Sequence, residues 1–343
     1  MSFEINNRRY TGSKTKIVNW IADIIEENCH DCKSFCDLFA GTGVVTNKMI
    51  TRFNKFYIND FLYSNELIYN AFFKKQNYSL EKIVKFSEKY KNLNSDNIKD
   101  NFISVNYGNK FFEFKDALLI GYIREDLEKN RHNLNKREFD ILLASLLYSA
   151  DRCANTVGHY EAYCKKGKLR SSFRFELIKP VIIDNNDERE INITRCDSNE
   201  LVKKVTSDIV YIDPPYSSRQ YSRFYHVLET IVKWDNPELY GVALKPKPEN
   251  MSAYCSSKAI DSFTELIANI KAKYIIVSYN NTYNSKSKSS ENKMSLEDIT
   301  NVLNQKGTTK IFSISHQAFN AGKTELDDHK ELLFLTEVGV FND

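Results

Sequence analysis

Residues 37–46 read DLFAGTGVVT. They close the apolar run KSFCDLFA, which has the composition of a buried strand, and they lead into a segment patterned as a helix, expected over Thr46–Phe53. Gly41 and Gly43 flank Thr42 at the junction. Without a Cβ, glycines let the chain turn tightly and let its backbone approach a ligand that a side chain would keep away. In an open α/β sheet, turns of this kind lie at the carboxyl edge of the strands, where ligands bind.

Six further runs read as strands outward from this turn: KFYIND, INITRCD, DIVYID, KYIIVSYN, KIFSISH and ELLFLTEV. Helices are expected at Lys14–Glu27, Tyr221–Trp234, Ser257–Lys271 and Ser295–Gln305, the last opening on a capping box of Ser295 and Asp298. Alternating strands and helices predict an α/β fold, a doubly wound Rossmann-like sheet that is mostly parallel with helices on both faces. No clear helix separates the last two strands, which predicts an antiparallel edge. The second and third strands are too far apart, Phe61 to Glu190, for a crossover. The intervening patterns SLEKIVKFSEKYKNL, FKDALLIGYIREDLEKN and REFDILLASLLYSADRCANT are helical. The expected organisation is a sheet domain from residues 1–62 and 180–343, with a mainly helical insertion at 63–179.

The 343 residues carry a net charge of +3, a balance that permits nucleic-acid binding without arguing for it. No apolar run has the length of a signal peptide core or a membrane span, so an intracellular, soluble protein is expected. The seven cysteines are odd in number and scattered, which favours reduced thiols. Cys29, Cys32 and Cys36 have metal-like spacing, but no second Cys/His pair follows, and no metal site is expected.

Two more strands end in carboxylates beside the glycine turn. Asp60 stands where an acidic residue accepts hydrogen bonds from ribose hydroxyls, and Asp197 follows the third strand. The pattern is neither G-x-G-x-x-G nor a P-loop, so a nucleoside-type cofactor other than a dinucleotide is expected. The fourth strand ends in Asp213-Pro214-Pro215-Tyr216. DLFAGTG followed by DPPY resembles the S-adenosylmethionine-dependent DNA adenine-N6 methyltransferases, with the order cofactor region, target-recognition region, catalytic region. RYTGSK, residues 9–14, resembles that family's N-terminal cofactor motif, while SSRQYSRFYHVLE and NTVGHYEAY are similar to a bacterial restriction-modification subgroup.

The resemblance implies S-adenosylmethionine as cofactor, contacted by Tyr10, Gly12, Ser13, Lys14, Asp37, Leu38, Phe39, Ala40, Gly41, Thr42, Gly43, Asn59, Asp60, Asp197 and Asp213. It implies Asp213, Pro214, Pro215 and Tyr216 as the catalytic group. The physical reason is that the adenine N6 lone pair is delocalised into the ring. Acceptors for both N–H groups pull the nitrogen toward tetrahedral geometry and free the lone pair. Asp213 offers an oxygen, and Pro214 offers a carbonyl held rigid by consecutive prolines. Such preorganisation is worth about 3 kcal/mol per group in other enzymes. Tyr216 is expected to stack on a base flipped out of the duplex, worth roughly 1–3 kcal/mol.

DNA contacts are expected from the interleaved basic and aromatic tract YCKKGKLRSSFR, through Lys165, Lys166, Lys168, Arg170 and Arg174. His159, Tyr160, Arg219, Gln220 and Tyr221 are expected to join them, and Leu244–Lys258 is a second candidate tract. The implied partners are double-stranded DNA of a specific short sequence and a cognate restriction endonuclease, in a bacterial cytoplasm. Three other readings stay open at this point: an RNA adenine or guanine amino methyltransferase, a protein-glutamine methyltransferase, and a non-catalytic DNA-binding relative.

Overall fold

The computed structural model describes residues 2–165, 169–281, 291–315 and 330–339. In chain order the elements are α1 (Val18–Asn28), β1 (Ser34–Asp37), α2 (Val44–Met49), β2 (Lys55–Asp60), α3 (Tyr63–Phe73), α4 (Leu80–Lys91), α5 (Phe102–Tyr107), α6 (Phe114–Lys129) and α7 (Lys136–Cys153). Then follow β3 (Glu190–Arg195), α8 (Ser198–Val202), β4 (Ile209–Ile212), α9 (Tyr221–Phe224), α10 (His226–Lys233), α11 (Ala259–Asn269), β5 (Tyr274–Asn280), α12 (Leu296–Asn304), β6 (Gly307–Ser315) and β7 (Lys330–Val338).

The chain divides into two compact units. One, residues 14–61, 188–221 and 250–343, holds a seven-stranded sheet in the order β3-β2-β1-β4-β5-β7-β6. β3 to β5 run parallel, and β7 pairs antiparallel with both β5 and β6. The expected antiparallel edge is present, with β7 inserted between β5 and β6. β1 and β4 are neighbours whose crossovers lead to opposite sides of the sheet. They form the topological switch point at which such folds bind ligands.

Side chains alternate across the sheet. Cys36, Val210, Ile212, Ile275, Val277 and Phe334 join one apolar cluster with Phe263, Leu266 and Ile267 of α11 and Ile299 and Leu303 of α12. Each large apolar side chain buried there contributes about 1.5–3 kcal/mol. Phe35, one residue from Cys36 and so on the opposite face, stacks on Phe53 at 5.4 Å. Ser295 caps α12 by accepting from Asp298 N at 3.0 Å, as its spacing predicts.

The other unit comprises residues 1–13, 62–187 and 222–249 and contains α3–α7 and α10. The insertion is helical as expected. Residues 1–13 and 222–249, expected to belong with the sheet, pack instead with these helices. Phe3 exchanges backbone hydrogen bonds with Leu177 and Lys179, both 2.8 Å, and Tyr148 donates to Ile5 O at 2.9 Å. On α10, Ile231 O accepts from buried Arg124 Nε at 2.8 Å.

The helix expected over Tyr221–Trp234 is broken at Tyr225, whose ring stacks on Tyr10 at 4.6 Å and whose hydroxyl accepts from Thr11 N at 2.8 Å. The helix expected from Lys14 starts at Val18, after a 3-10 turn over Lys14–Lys16.

Candidate active site

The carboxyl ends of β1, β2 and β4 assemble the site within the sheet unit. Gly41 and Gly43 take φ values of 53° and 75°, left-handed conformations that favour glycine, and Gly43 opens α2. The turn is fixed by Ala40 N donating to Asn59 O at 2.9 Å and Gly43 N donating to Ala40 O at 2.7 Å. Asp60 at the end of β2 accepts from Gly41 N at 2.9 Å, so the predicted ribose carboxylate also holds the glycine turn. Thr42 is buried in that turn, while Leu38 and Phe39 join the sheet core, where Phe39 packs edge-on against Tyr254 at 5.2 Å.

Asp37 is buried. One carboxylate oxygen accepts from Thr46 Oγ1 at 2.7 Å, and the other, Oδ1, makes no hydrogen bond. Burial pushes its carboxyl up to about 7, opposed by the Thr46 hydrogen bond and reinforced by Asp213 and Asp60. A buried acceptor without a donor is costly, and it marks where a cationic or N–H-bearing ligand would be satisfied. Asp197 is exposed at the end of β3 and caps α8 through Asn199 N at 2.8 Å.

The Asn59 side chain is spent on the sheet: its amide donates to Leu38 O and Cys196 O, both 3.1 Å, and its oxygen accepts from Thr194 Oγ1 at 2.9 Å. It braces three strand ends instead of presenting a polar group to a ligand. Tyr10, Gly12 and Ser13 belong to the helical unit, where Arg8 lies 5.2 Å above the Tyr10 ring.

At the end of β4, Lys14 Nζ forms an ion pair with Asp213 Oδ1 at 2.9 Å and donates to the Tyr216 hydroxyl. That hydroxyl donates to the same Oδ1 at 2.6 Å. Burial holds the Asp213 carboxyl above its ordinary range, while the Lys14 ammonium and Tyr216 hydroxyl pull it down. Burial alone would lower Lys14, but Asp213 and Glu331 more than offset it, so the lysine stays charged. The Tyr216 ring packs edge-on against Tyr279 at 5.1 Å, and Tyr216 O accepts from Lys293 N at 2.7 Å. Pro214 is buried and Pro215 half-buried in the same segment.

Sequence reasoning missed Glu331, whose Oε2 lies 4.0 Å from Lys14 Nζ. The available signal was a carboxylate opening the apolar run ELLFLTEV. It also missed Thr46 as the partner of Asp37.

The expected DNA contacts separate. Lys165, Arg170 and Arg174 are exposed, and Lys166 and Lys168 lie outside the described residues. Described residues on either side are anchored: Cys164 exchanges hydrogen bonds with Asn155, and Ser171 Oγ and Ser172 N donate to buried Asp116 at 2.6 and 2.9 Å. His159 is half-buried and stacks on Phe224 at 4.6 Å. Tyr160 is a correction: it is fully buried, and its hydroxyl donates to Asp151 Oδ1 at 3.0 Å, so it is a core residue. Gln220 is another, because both ends of its amide are clasped to the Ser252 backbone at 2.9 and 2.7 Å. Arg219 and Tyr221 are half-buried beside it in the chain.

His226 is buried with Nε2 2.9 Å from Tyr160 O, so that nitrogen carries the proton. Burial pushes its pKa down to about 3, which removes it from acid–base duty near neutrality. Glu229 accepts from Tyr63 N at 3.0 Å and Ser64 N at 2.8 Å, capping α3 where the N-cap residue, Leu62, cannot.

Among the described residues no group of three or more His, Cys, Asp or Glu is placed to hold a metal ion, and no helix is long and apolar enough to cross a membrane. All seven cysteines are free.

A family model described as D12 class N6 adenine-specific DNA methyltransferase matches residues 10–290. The type II methyltransferase M.FokI of Planomicrobium okeanokoites is 33% identical over 350 residues, covering 95% of this chain and 52% of that protein. The modification methylase LlaI of Lactococcus lactis subsp. lactis is 34% identical over 291 residues, covering 80% and 46%. The type II methyltransferase M.NlaIII of Neisseria lactamica is 30% identical over 336 residues, covering 94% and 95%. The chain thus spans about half the length of the first two relatives and nearly all of the third.

Proposed function

The chain belongs to the D12 class of N6 adenine-specific DNA methyltransferases, and on that premise we propose that it methylates adenine N6 at a short specific sequence in double-stranded DNA. The observation that carries the reading is the convergence of Lys14 and Tyr216 on Asp213 Oδ1, which leaves Oδ2 to accept from a substrate amine. Pro214 supplies the second acceptor, its carbonyl. Both acceptors are fixed before substrate arrives, so little reorganisation accompanies the reaction. The tethered Tyr216 ring is the stacking surface for an adenine flipped from the duplex.

Enzymes of this family use S-adenosylmethionine as methyl donor; when bound, it supplies an electrophilic methyl on a sulfonium. The residues present fit that group. Asp37 offers the buried oxygen that lacks a donor, the Gly41–Gly43 turn offers backbone without a Cβ, and Asp60 and Asp197 offer carboxylates for hydroxyl or amine groups. The Lys14 ammonium favours the ionised form of Asp213 against the effect of burial. Proton loss from methylated N6 needs no strong base, consistent with a neutral His226.

By this reading the sheet unit holds cofactor and chemistry, and the helical insertion with Lys165, Lys166, Lys168, Arg170, Arg174 and His159 holds DNA. The protein is then the modification enzyme of a bacterial restriction-modification system, working in the cytoplasm beside a cognate endonuclease. The test is expression in a methylation-free bacterium, followed by sequencing with modified-base detection. N6-methyladenine at one short motif, absent with Asp213→Ala, is expected. Unmodified genomic DNA, or methylation of ribosomal RNA instead, overturns the proposal.

A further inference from the structure

The helical unit carries a cavity of about 310 Å³ lined by the end of α4, Leu93, Leu119 of α6 and residues 173–176. Ligand sites span roughly 300–1,000 Å³, so this one has room for a single nucleotide-sized group. None of the lining residues belongs to the sheet unit, which holds Asp37, Asp60 and Asp213. The walls are aromatic: buried Tyr90 and Phe175 pack edge-on at 5.1 Å, and half-buried Phe173 joins them. The Tyr90 hydroxyl is spent on Asp126 Oδ2 at 2.9 Å, to which it donates.

The lining is also positive. Lys91, which ends α4, and Arg174 are its exposed members, and among the described residues neither side chain has an ion-pair partner. The nearby carboxylates are neutralised. Glu176, also in the lining, pairs with Arg152 at 2.8 Å, and Asp126 pairs with Lys89 at 2.6 Å. The segment bearing Arg174 is set beforehand: Arg174 O accepts from Arg152 Nη2 at 2.7 Å, and Glu176 N donates to Ser149 Oγ at 3.0 Å. Little ordering is then left to oppose binding. Aromatic walls suit a flat ring, whereas two unpaired cations call for a strong anion, and a guanidinium meets a phosphate through parallel N–H groups. Arg174 also closes the tract YCKKGKLRSSFR, in which basic and aromatic residues interleave. A nucleotide joins ring and anion in one small group.

We propose that this cavity is a nucleotide site, with the phosphate on Lys91 and Arg174 and the base against Tyr90, Phe173 and Phe175. Bases paired and stacked inside a duplex cannot enter it, so the occupant is a free mononucleotide or an unpaired nucleotide of a DNA strand. The site stands apart from adenine methylation, and its binding is measured without turnover.

The full chain, kept in excess S-adenosylhomocysteine to compete for any cofactor site, is titrated calorimetrically with dAMP. Lys91→Glu combined with Arg174→Glu is expected to weaken dAMP about tenfold or more, and Phe173→Ala about fivefold or more. Asp213→Ala, in the other unit, is expected to leave dAMP affinity within about twofold. Deoxyadenosine and inorganic phosphate, each half of the ligand, should bind at least about tenfold more weakly than dAMP. Because the substituted cavity residues are exposed or half-buried, unchanged melting temperatures are expected for those variants. A short single strand of deoxyadenylate separates the two sources. Binding as tight as that of dAMP, with the same loss in the variants, makes DNA the source; exclusion of the strand makes it the free nucleotide. The nucleotide site is overturned by an absence of dAMP binding or by phosphate bound as tightly as dAMP. It is equally overturned by binding that survives Lys91→Glu with Arg174→Glu but is lost with Asp213→Ala. Failure of the methylation reading shows elsewhere, as unmodified DNA in the expression test, and leaves these titrations as they are.

Discussion

The Lys14 ammonium lies 2.9 Å from Asp213 and 4.0 Å from Glu331, so one buried cation serves two carboxylates at the carboxyl edge of the sheet. Replacing it with methionine leaves those carboxylates repelling each other in a poorly solvated site. One of them then binds a proton at higher pH than before. The acid limb of the methylation rate against pH is expected to move upward, with the rate at pH 7 falling about tenfold per unit of movement. Lys14→Arg is expected to restore most of the limb's position. A Lys14→Met profile that keeps its wild-type acid limb would show that the limb does not report on the Lys14 carboxylate cluster.

Asp37 sets a second pH dependence. Its carboxyl, raised by burial to about 7, is protonated below that value. If the ionised form holds the cofactor, affinity weakens as pH falls from 8 to 6, approaching tenfold per unit on the acid side. Calorimetric titration of S-adenosylmethionine across that range measures it, and Asp37→Asn is expected to bind weakly with no such slope. Without cofactor the linkage runs the other way. A raised carboxyl contributes stability at low pH that is lost as pH rises, so the wild type should lose stability relative to Asp37→Asn toward pH 7.

Glu229 connects α10 to the start of α3. Glu229→Ala deletes both acceptors for Tyr63 N and Ser64 N, and is expected to cost about 2–3 kcal/mol in urea unfolding near pH 7. Burial raises the Glu229 carboxyl. The wild-type advantage over Glu229→Ala should therefore narrow as pH rises through the carboxylate range. An undiminished unfolding midpoint in Glu229→Ala at neutral pH would mean water caps α3 equally well.

The basic tract YCKKGKLRSSFR is open to a salt titration. Lys165, Lys166 and Lys168 changed together to glutamine should weaken DNA binding and reduce the slope of log affinity against log salt by about 0.9 for each phosphate that is no longer neutralised. Fluorescence anisotropy from low to moderate salt reads both. An unchanged slope would mean that phosphates are neutralised elsewhere on the protein.

Much of the fold was legible because each strand carries its own local signal. All seven expected strands are present, and the β1 turn announces its ligand edge through two glycines that need positive φ. Long-range partnerships were not legible. Glu229 reaches Tyr63 across 166 positions, and nothing near either residue signals the pairing. Asn59 and Gln220 look from sequence like polar groups at a ligand edge, yet backbone carbonyls and amides consume them. Tyr160 sits in a polar, loop-like stretch and is nonetheless core, because Asp151 receives its hydroxyl. In each case the deciding partner lies where local pattern cannot reach.

The placement of β7 bears on how the protein comes into being. This strand is made after every other element of the sheet, yet it lies inside, between β5 and β6. β6 is synthesised first and, among the described strands, pairs with β7 alone. Until residues 330–338 leave the ribosome, a nascent chain carries five strands that can pair and a sixth that must wait. Lys14 meanwhile has Asp213 but not Glu331. Closing the sheet and bringing Glu331 to Lys14 are therefore a single event that follows the synthesis of every other strand.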